Sequence, residues 1–254
     1  MPDDMASNNI NSAHSWNQSL GLFVDSVVSK DPDKIFIEIA GQSITYHEFQ
    51  ERSIRAASMF RSLGIVHGDR ICLYLPNCPE FLYCWFGLSR IGAISVPINT
   101  AYKRDETAYI LNNSGAVAVI GHSDIIGSLY EAAELSPNVR FRLVVRTPES
   151  DLVDSEWCDF NTLLNTIELS DLSDLTYSVS PSDISMLVYT SGTTGHPKGA
   201  MINHRMQLYN CINLAAPAFV SPETVQLVVL PLFHTGGMNC YANPVLHAGG
   251  ELIL

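Results

Sequence analysis

The amino-acid sequence predicts an α/β fold, with mainly parallel sheets covered by helices on both faces. Three observations carry the prediction. Short apolar runs such as RICLYLP (70–76), AVAVIG (116–121) and FRLVV (141–145) recur at strand length. The segments between them are helix-patterned and reach about ten residues or more, which crossovers between parallel strands need and tight hairpins do not. The 254 residues are 46% hydrophobic and 16% charged, a globular balance with apolar mass for one large core or two modest ones.

The first 15 residues, MPDDMASNNINSAHS, are expected to form a flexible tail, because they lack the basic start and apolar stretch of a signal peptide. One domain is expected over 16–254. Residues 16–30 read as an amphipathic helix, and IFIEI (35–39) and SIT (43–45) as two strands around the turn Gly41-Gln42. Thr45 with Glu48 three residues on fits a capping box, so a helix should run to about Ser62 and stop at Gly64. After the strand at 70–76, Asn77 with Glu80 marks another helix start, running to Gly92. A strand at 93–97, a helix at 104–113, a strand at 116–121, a helix at 124–135 and a strand at 141–145 complete the first half.

Residues 147–183 carry nine acidic and no basic side chains, which reads as a solvated linker. The alternation then resumes with a strand at 183–190, a helix over 203–219, a strand at 225–230, a helix near 238–248, and ELIL (251–254) opening a further strand.

The formal net charge is −12 and the only lysines are Lys30, Lys34, Lys103 and Lys198, so the clustered cations that a nucleic-acid partner requires are missing. No stretch approaches the roughly 20 apolar residues of a membrane-spanning helix, and a cytoplasmic location is expected. The six cysteines show no CxxC pair and no histidine at metal spacing, so no metal ligands are assigned and reduced thiols are expected; Cys72 and Cys84 fall in apolar runs.

The run YTSGTTGHPKGA (189–200) concentrates chemistry. Four hydroxyls, three glycines and a lysine stand in the ten positions 190–199. Glycines let backbone amides turn toward an anion, hydroxyls donate to phosphoryl oxygens, and Lys198 adds a mobile positive charge. A Walker loop, GxxxxGK[ST], fails twice from Gly192, since Pro197 and Gly199 occupy its second Gly and its Ser/Thr positions.

The stretch VYTSGTTGHPKGAMINH (188–204) resembles the signature phosphate loop of the adenylate-forming superfamily, which includes acyl-CoA synthetases, peptide-synthetase adenylation domains and luciferases. ITYHEF (44–49), LYLPNCPEF (73–81), IGAISVPINTAY (91–102) and PLFHTGG (231–237) are similar to further motifs of that superfamily, in its order. Their spacing looks closer to bacterial-type acyl-CoA synthetases than to peptide-synthetase domains. The resemblance implies ATP-dependent activation of a small-molecule carboxylate to an acyl-adenylate, then transfer to coenzyme A, with ATP, magnesium and coenzyme A taking part. It implies that Thr190, Ser191, Gly192, Thr193, Thr194, Gly195 and Lys198 bind the β and γ phosphates. It places His234 near the acyl carboxylate and the α-phosphate as the catalytic candidate, with Met238, Asn239 and Tyr241 on the acyl side of the pocket or in the core. His196 has no task, and His204 and Arg205 are expected to be solvated on the first turn of a helix.

The superfamily's adenine- and ribose-contacting motifs and its small C-terminal domain find no match here, so the chain is expected to be an incomplete version of such an enzyme. A C-terminal domain or a separate chain would complete the site. The isolated chain is expected to form little acyl-adenylate, and a peroxisomal address could lie in a lost C-terminus. The alternatives are a non-catalytic nucleotide- or partner-binding fragment and a peptide-synthetase adenylation unit.

Overall fold

The computed structural model describes residues 17–148, 150, 156–168, 179–190 and 196–254; the expected tail lies outside them. The first helix, α1 (Leu20–Val28), starts where the Ser19 hydroxyl accepts the Leu22 amide, and buries Leu20, Phe23, Val24, Val27 and Val28 at helical spacing. Strands β1 (Ile35–Ile39) and β2 (Gln42–Thr45) form an antiparallel hairpin. Its turn residues are Ala40 and Gly41, one position earlier than the sequence suggests. Both take positive φ, as a two-residue hairpin turn demands. Thr45 and Glu48 form the expected capping box of α2 (Tyr46–Ser62).

The larger sheet has seven strands: β3 (Arg70–Tyr74), β4 (Ile94–Pro97), β5 (Ala118–His122), β6 (Phe141–Val145), β7 (Cys158–Asp159), β8 (Ile184–Thr190) and β9 (Lys198–Asn203). They lie in the order β7-β6-β5-β3-β4-β8-β9, and every pairing is parallel except β8 with β9. Its helices are α3 (Pro79–Arg90), α4 (Arg104–Ser114), α5 (Gly127–Glu134) and α6 (Phe160–Thr166). A second sheet of four strands takes β10 (Val225–Leu227) and β11 (Glu251–Ile253) in the order β10-β11-β1-β2, with α7 (His204–Ala215) and α8 (Asn243–Ala248) as the later helices.

The side-chain period of two decides which core each strand residue enters. Ile71, Leu73, Ala118, Ile120, Leu143 and Val145 join one cluster, which packs α1, α2 and α3 and takes Phe36, Ile37 and Leu252 from the smaller sheet. Their neighbours Cys72, Tyr74, Val119 and Val144 join a second cluster with Ile110 and Leu111 of α4 and Leu129 of α5. The sheet thus has helices on both faces, as expected. Within the first cluster the fully buried Arg90 guanidinium donates to Asp25 at 2.7 and 3.0 Å and to the Ser53 hydroxyl at 3.1 Å, tying α3 to α1 and α2. A buried cation survives only when its donors are met in this way.

Four expectations change. Residues 198–203 form strand β9, where the sequence reads as loop. The acidic stretch holds β7 and α6, because Trp157, Phe160 and Leu164 bury at 4%, 0% and 1% exposure and Asp159 caps the helix by accepting the Thr162 amide. Asn77 does not cap α3; the capping position is Cys78, with Pro79 at the helix start. The helix near 238–248 is a π-helix over Gly236–Ala242 followed by α8. Smaller shifts end α7 at Ala215 and β10 at Leu227. All six cysteines are free; four are buried, whereas Cys158 and Cys240 are exposed.

Candidate functional site

In an open parallel sheet, ligands gather outside the carboxyl ends of the strands where the winding reverses. Here β3 has β4 on one side and β5 on the other, so the chain steps one way and then crosses back. A cavity of about 380 Å³ opens beside that crossover, at the carboxyl ends of β4 and β8. It is lined by Pro97, Asn99, Tyr102, Ile110, the β8 residues Val188, Tyr189 and Thr190, and the turn residues Phe233, His234 and Thr235. A larger groove of about 630 Å³ between α2, α3 and α6 is lined by side chains such as Arg52, Glu51 and Glu80, and holds none of the candidate residues.

The signature run sits on a hairpin. β8 and β9 pair from Ile184↔Asn203 to Thr190↔Lys198, which leaves residues 191–197 as the connection. Ser191, Gly192, Thr193, Thr194 and Gly195 lie outside the described residues. Thr190 and Lys198 are cross-strand partners, so their side chains project from the same face of the sheet, and both residues are exposed. Lys198 therefore opens a strand and does not sit in a loop. Its strand, KGAMIN, has small residues of weak strand propensity, and becomes extended by pairing along β8. At the next pair Tyr189 lies over Gly199, whose absent Cβ would stand 3.2 Å from the Tyr189 ring.

The opposite end of the hairpin is closed. The Asp183 carboxylate accepts the Ser180 amide and faces His67 Nε2 at 2.8 Å; burial works against its ionised form, but these partners outweigh burial and hold its pKa below the usual value. His204, expected in solvent, is fully buried, and its Nδ1 accepts the Leu20 amide at 3.2 Å. Burial pushes its pKa down to about 4 against the pull of Asp183. Arg205 is exposed, as expected, and donates to Asn17 Oδ1 at 3.1 Å.

His234 belongs to a tight turn. Its amide donates to the Pro231 carbonyl at 3.0 Å, and its Nδ1 accepts the Gly236 amide at 3.1 Å, which leaves the proton on Nε2 in the neutral ring. The residue is exposed at the mouth of the cavity. Gly237 follows because a Cβ there would stand 2.2 Å from the Pro231 carbonyl oxygen. Asn77 braces the turn from afar, donating to the Val228 and Leu230 carbonyls at 3.1 Å each and accepting the Leu232 amide at 2.7 Å. Sequence reasoning took Asn77 for a helix cap; its only hint of this role is its place in LYLPNCPEF.

Met238, Asn239 and Tyr241 do not line the cavity. Met238 packs in the first core cluster at 1% exposure, and Tyr241 is half-buried against that cluster. Asn239 is buried in a polar network, its carbonyl accepting Asn210 Nδ2 at 2.7 Å and its Oδ1 accepting Asn243 Nδ2 at 3.1 Å.

A family model described as AMP-binding enzyme matches residues 24–254. The chain belongs to the AMP-binding enzyme family. Crotonobetaine/carnitine–CoA ligase of Escherichia coli is 33% identical over 212 residues, which make up 83% of this chain and 40% of that relative. Among solved structures, apo MbtA of Mycobacterium smegmatis matches with a TM-score of 0.84 at 26% identity, covering 96% of this chain and 45% of that one. A long-chain-fatty-acid–CoA ligase of Archaeoglobus fulgidus matches with a TM-score of 0.82 at 24% identity, over 93% of this chain and 47% of that one, a likeness of fold. This family member spans less than half the length of each of these relatives. None of its described helices is long and apolar enough to cross a membrane.

Proposed function

We propose that the β8–β9 hairpin grips the β and γ phosphates of ATP while a small-molecule carboxylate is activated at the cavity beside it. The observation that carries this reading is the pairing of Thr190 with Lys198 on one face at the hairpin mouth, next to a cavity that His234 also lines. A hydroxyl and an ammonium on one face can take adjacent phosphoryl oxygens, with Ser191, Gly192, Thr193, Thr194 and Gly195 supplying the remaining donors. In the reaction a carboxylate oxygen bonds to the α-phosphorus and pyrophosphate leaves, so negative charge builds on the group that Lys198 holds. With Nδ1 taken by the Gly236 amide, the Nε2–H of His234 is left as the donor for the acyl or α-phosphoryl oxygens at the cavity that the residue lines. A thiol sulfur then takes the acyl group and AMP departs.

The Escherichia coli relative is a CoA ligase, which favours coenzyme A over a carrier protein as the acceptor. No carboxylate stands among the described cavity-lining residues, so a magnesium ion carried by the ATP phosphates would find only neutral oxygens there, such as the Thr190 hydroxyl. Val225, Leu227 and Val229 are 56%, 55% and 69% exposed at the edge strand β10 and just beyond it, which supports a further domain or chain completing the site. A cytoplasmic location remains part of the proposal; the bacterial relative named above lends a peroxisomal one no support.

The test is ATP binding by calorimetry to the 254-residue chain and its Lys198→Ala variant. The expected loss is about tenfold or more, as for removal of a charge-assisted contact. Equal affinities would remove the proposal's foundation.

A further inference from the structure

We infer that α4 sets the position of the phosphate-gripping turn, through a clasp made by Tyr109, Asn113 and His196. The inference rests on the reading of the hairpin mouth as a triphosphate grip. Tyr109 and Asn113 stand four residues apart on α4, so their side chains share one face of the helix. Each reaches a different limb of the hairpin. Asn113 Oδ1 accepts the Tyr189 phenol at 2.7 Å, holding β8 one residue before Thr190. The Tyr109 phenol donates to the Pro197 carbonyl at 3.1 Å, one residue before Lys198. The Tyr109 ring also stacks on His196, with 4.7 Å between centroids and 17° between planes. Both ends of the connection over 191–197 are thereby bracketed by one helix.

That helix is a firm base. Ile110 and Leu111 are fully buried. Asn112 Nδ2 donates to the Leu135 carbonyl at 3.0 Å and the Ser136 hydroxyl at 3.2 Å, fixing α4 to the end of α5. Burial pushes the Tyr189 phenol up to about 12, so it stays a hydrogen-bond donor to Asn113. Ile110 also lines the cavity, so α4 fixes the turn relative to the space where the ligand lies.

A turn that must wrap a polyanion loses conformational freedom on binding. Holding its two ends beforehand reduces that loss, and affinity rises without any new contact to the ligand. Tyr109, Asn113 and His196 are positioning residues on this account, since none of them is placed against the phosphates. His196, for which the sequence suggests no task, supplies the stacking partner.

The experiment titrates the full 254-residue chain and its variants with ATP and with inorganic tripolyphosphate, and records each melting temperature. His196→Ala and Tyr109→Ala should weaken both ligands by about 5- to 20-fold through lost pre-organisation. Tyr109→Phe, which keeps the stack and loses the hydrogen bond, should fall between them and the parent. His196→Phe, which keeps the stack, should restore affinity. Melting temperatures should move by less than about 2 °C for His196→Ala and Tyr109→Phe, because each removes an exposed group or a single oxygen; these two decide the matter if Tyr109→Ala does not fold. Parent-like affinity in His196→Ala and Tyr109→Phe, or no rescue by His196→Phe, would overturn the clasp while a Lys198→Ala loss kept the phosphate reading standing. A parent that binds neither probe, or a Lys198→Ala variant that binds like the parent, would overturn the phosphate reading and the clasp with it.

Discussion

At its base the β8–β9 hairpin is buried and cross-braced: Met186 is 1% exposed, His204 is fully buried, and Gln207 Nε2 donates to the Ser185 hydroxyl at 2.7 Å. At its mouth Thr190 and Lys198 stand in solvent, and the outer strand β9 stays open as far down as Met201, which faces the Leu187 position and is 68% exposed. The same two strands therefore serve as scaffold at one end and as working surface at the other. Burial supplies the stability that the mouth, with its small residues and polar donors, cannot supply for itself. A site that must close on a charged ligand needs unmet donors, and unmet donors are tolerable only where water can reach them.

The sharpest test of this contrast is a matched pair of methionines. Met186→Ala should cost about 2–5 kcal/mol, since it empties a core position, and chemical denaturation will read it. An effect below about 1 kcal/mol would show that the base is not part of the core.

Acid tests the buried imidazole. In the unfolded chain His204 takes its proton near pH 6.5, and in the folded protein only near about 4. Between those values the unfolded state binds the extra proton, so the stabilising contribution is complete above the upper value and fades as pH falls through the window. The loss by pH 4 should be on the order of 3 kcal/mol, and His204→Gln should flatten stability against pH between 7 and 4.5. An unchanged slope in the variant would assign the acid sensitivity to other groups. Asp183, whose pKa is lowered, contributes stability that is lost at still more acidic pH.

A smaller effect, about 1–3 kcal/mol, is expected for Gln207→Ala, which takes away a buried donor and leaves the Ser185 hydroxyl with only the Ile202 carbonyl. Thermal melts of Gln207→Ala and Ser185→Ala singly and together would show coupling if the bond matters. The smallest is Met201→Ala on the exposed strand, within about 0.5 kcal/mol of the parent. A large loss there would mean that the edge strand β9 is covered in solution and does not stay open from the mouth inward.

Much of the scaffold was legible because its signals are local. The apolar runs of β3, β5 and β6 and the Thr45–Glu48 capping box announce themselves within a few residues. What escaped notice depends on distant partners. β9 is extended because β8 lies beside it, α6 hides Phe160 and Leu164 among acidic neighbours, and His204 is buried because the amide of Leu20 arrives from the other end of the chain. The candidate site divides the same way. His234 and Lys198 were found from their motifs, whereas the brace by Asn77 and the contacts of Tyr109 join residues 87 or more positions apart. The central hydroxyls and glycines of the signature lie outside the described residues, so their part in the site rests on sequence.

The π-helix after His234 has a further consequence for how this turn tolerates change in length. Bonds from i to i+5 hold one residue more per turn than an α-helix does. Deleting a single residue between 238 and 242 would let that turn relax to α-helical winding and swing the segment before it around the axis, carrying the imidazole away from the mouth while α8 stayed packed. The placement of His234 is thus written into the number of residues behind it as much as into the bonds it makes.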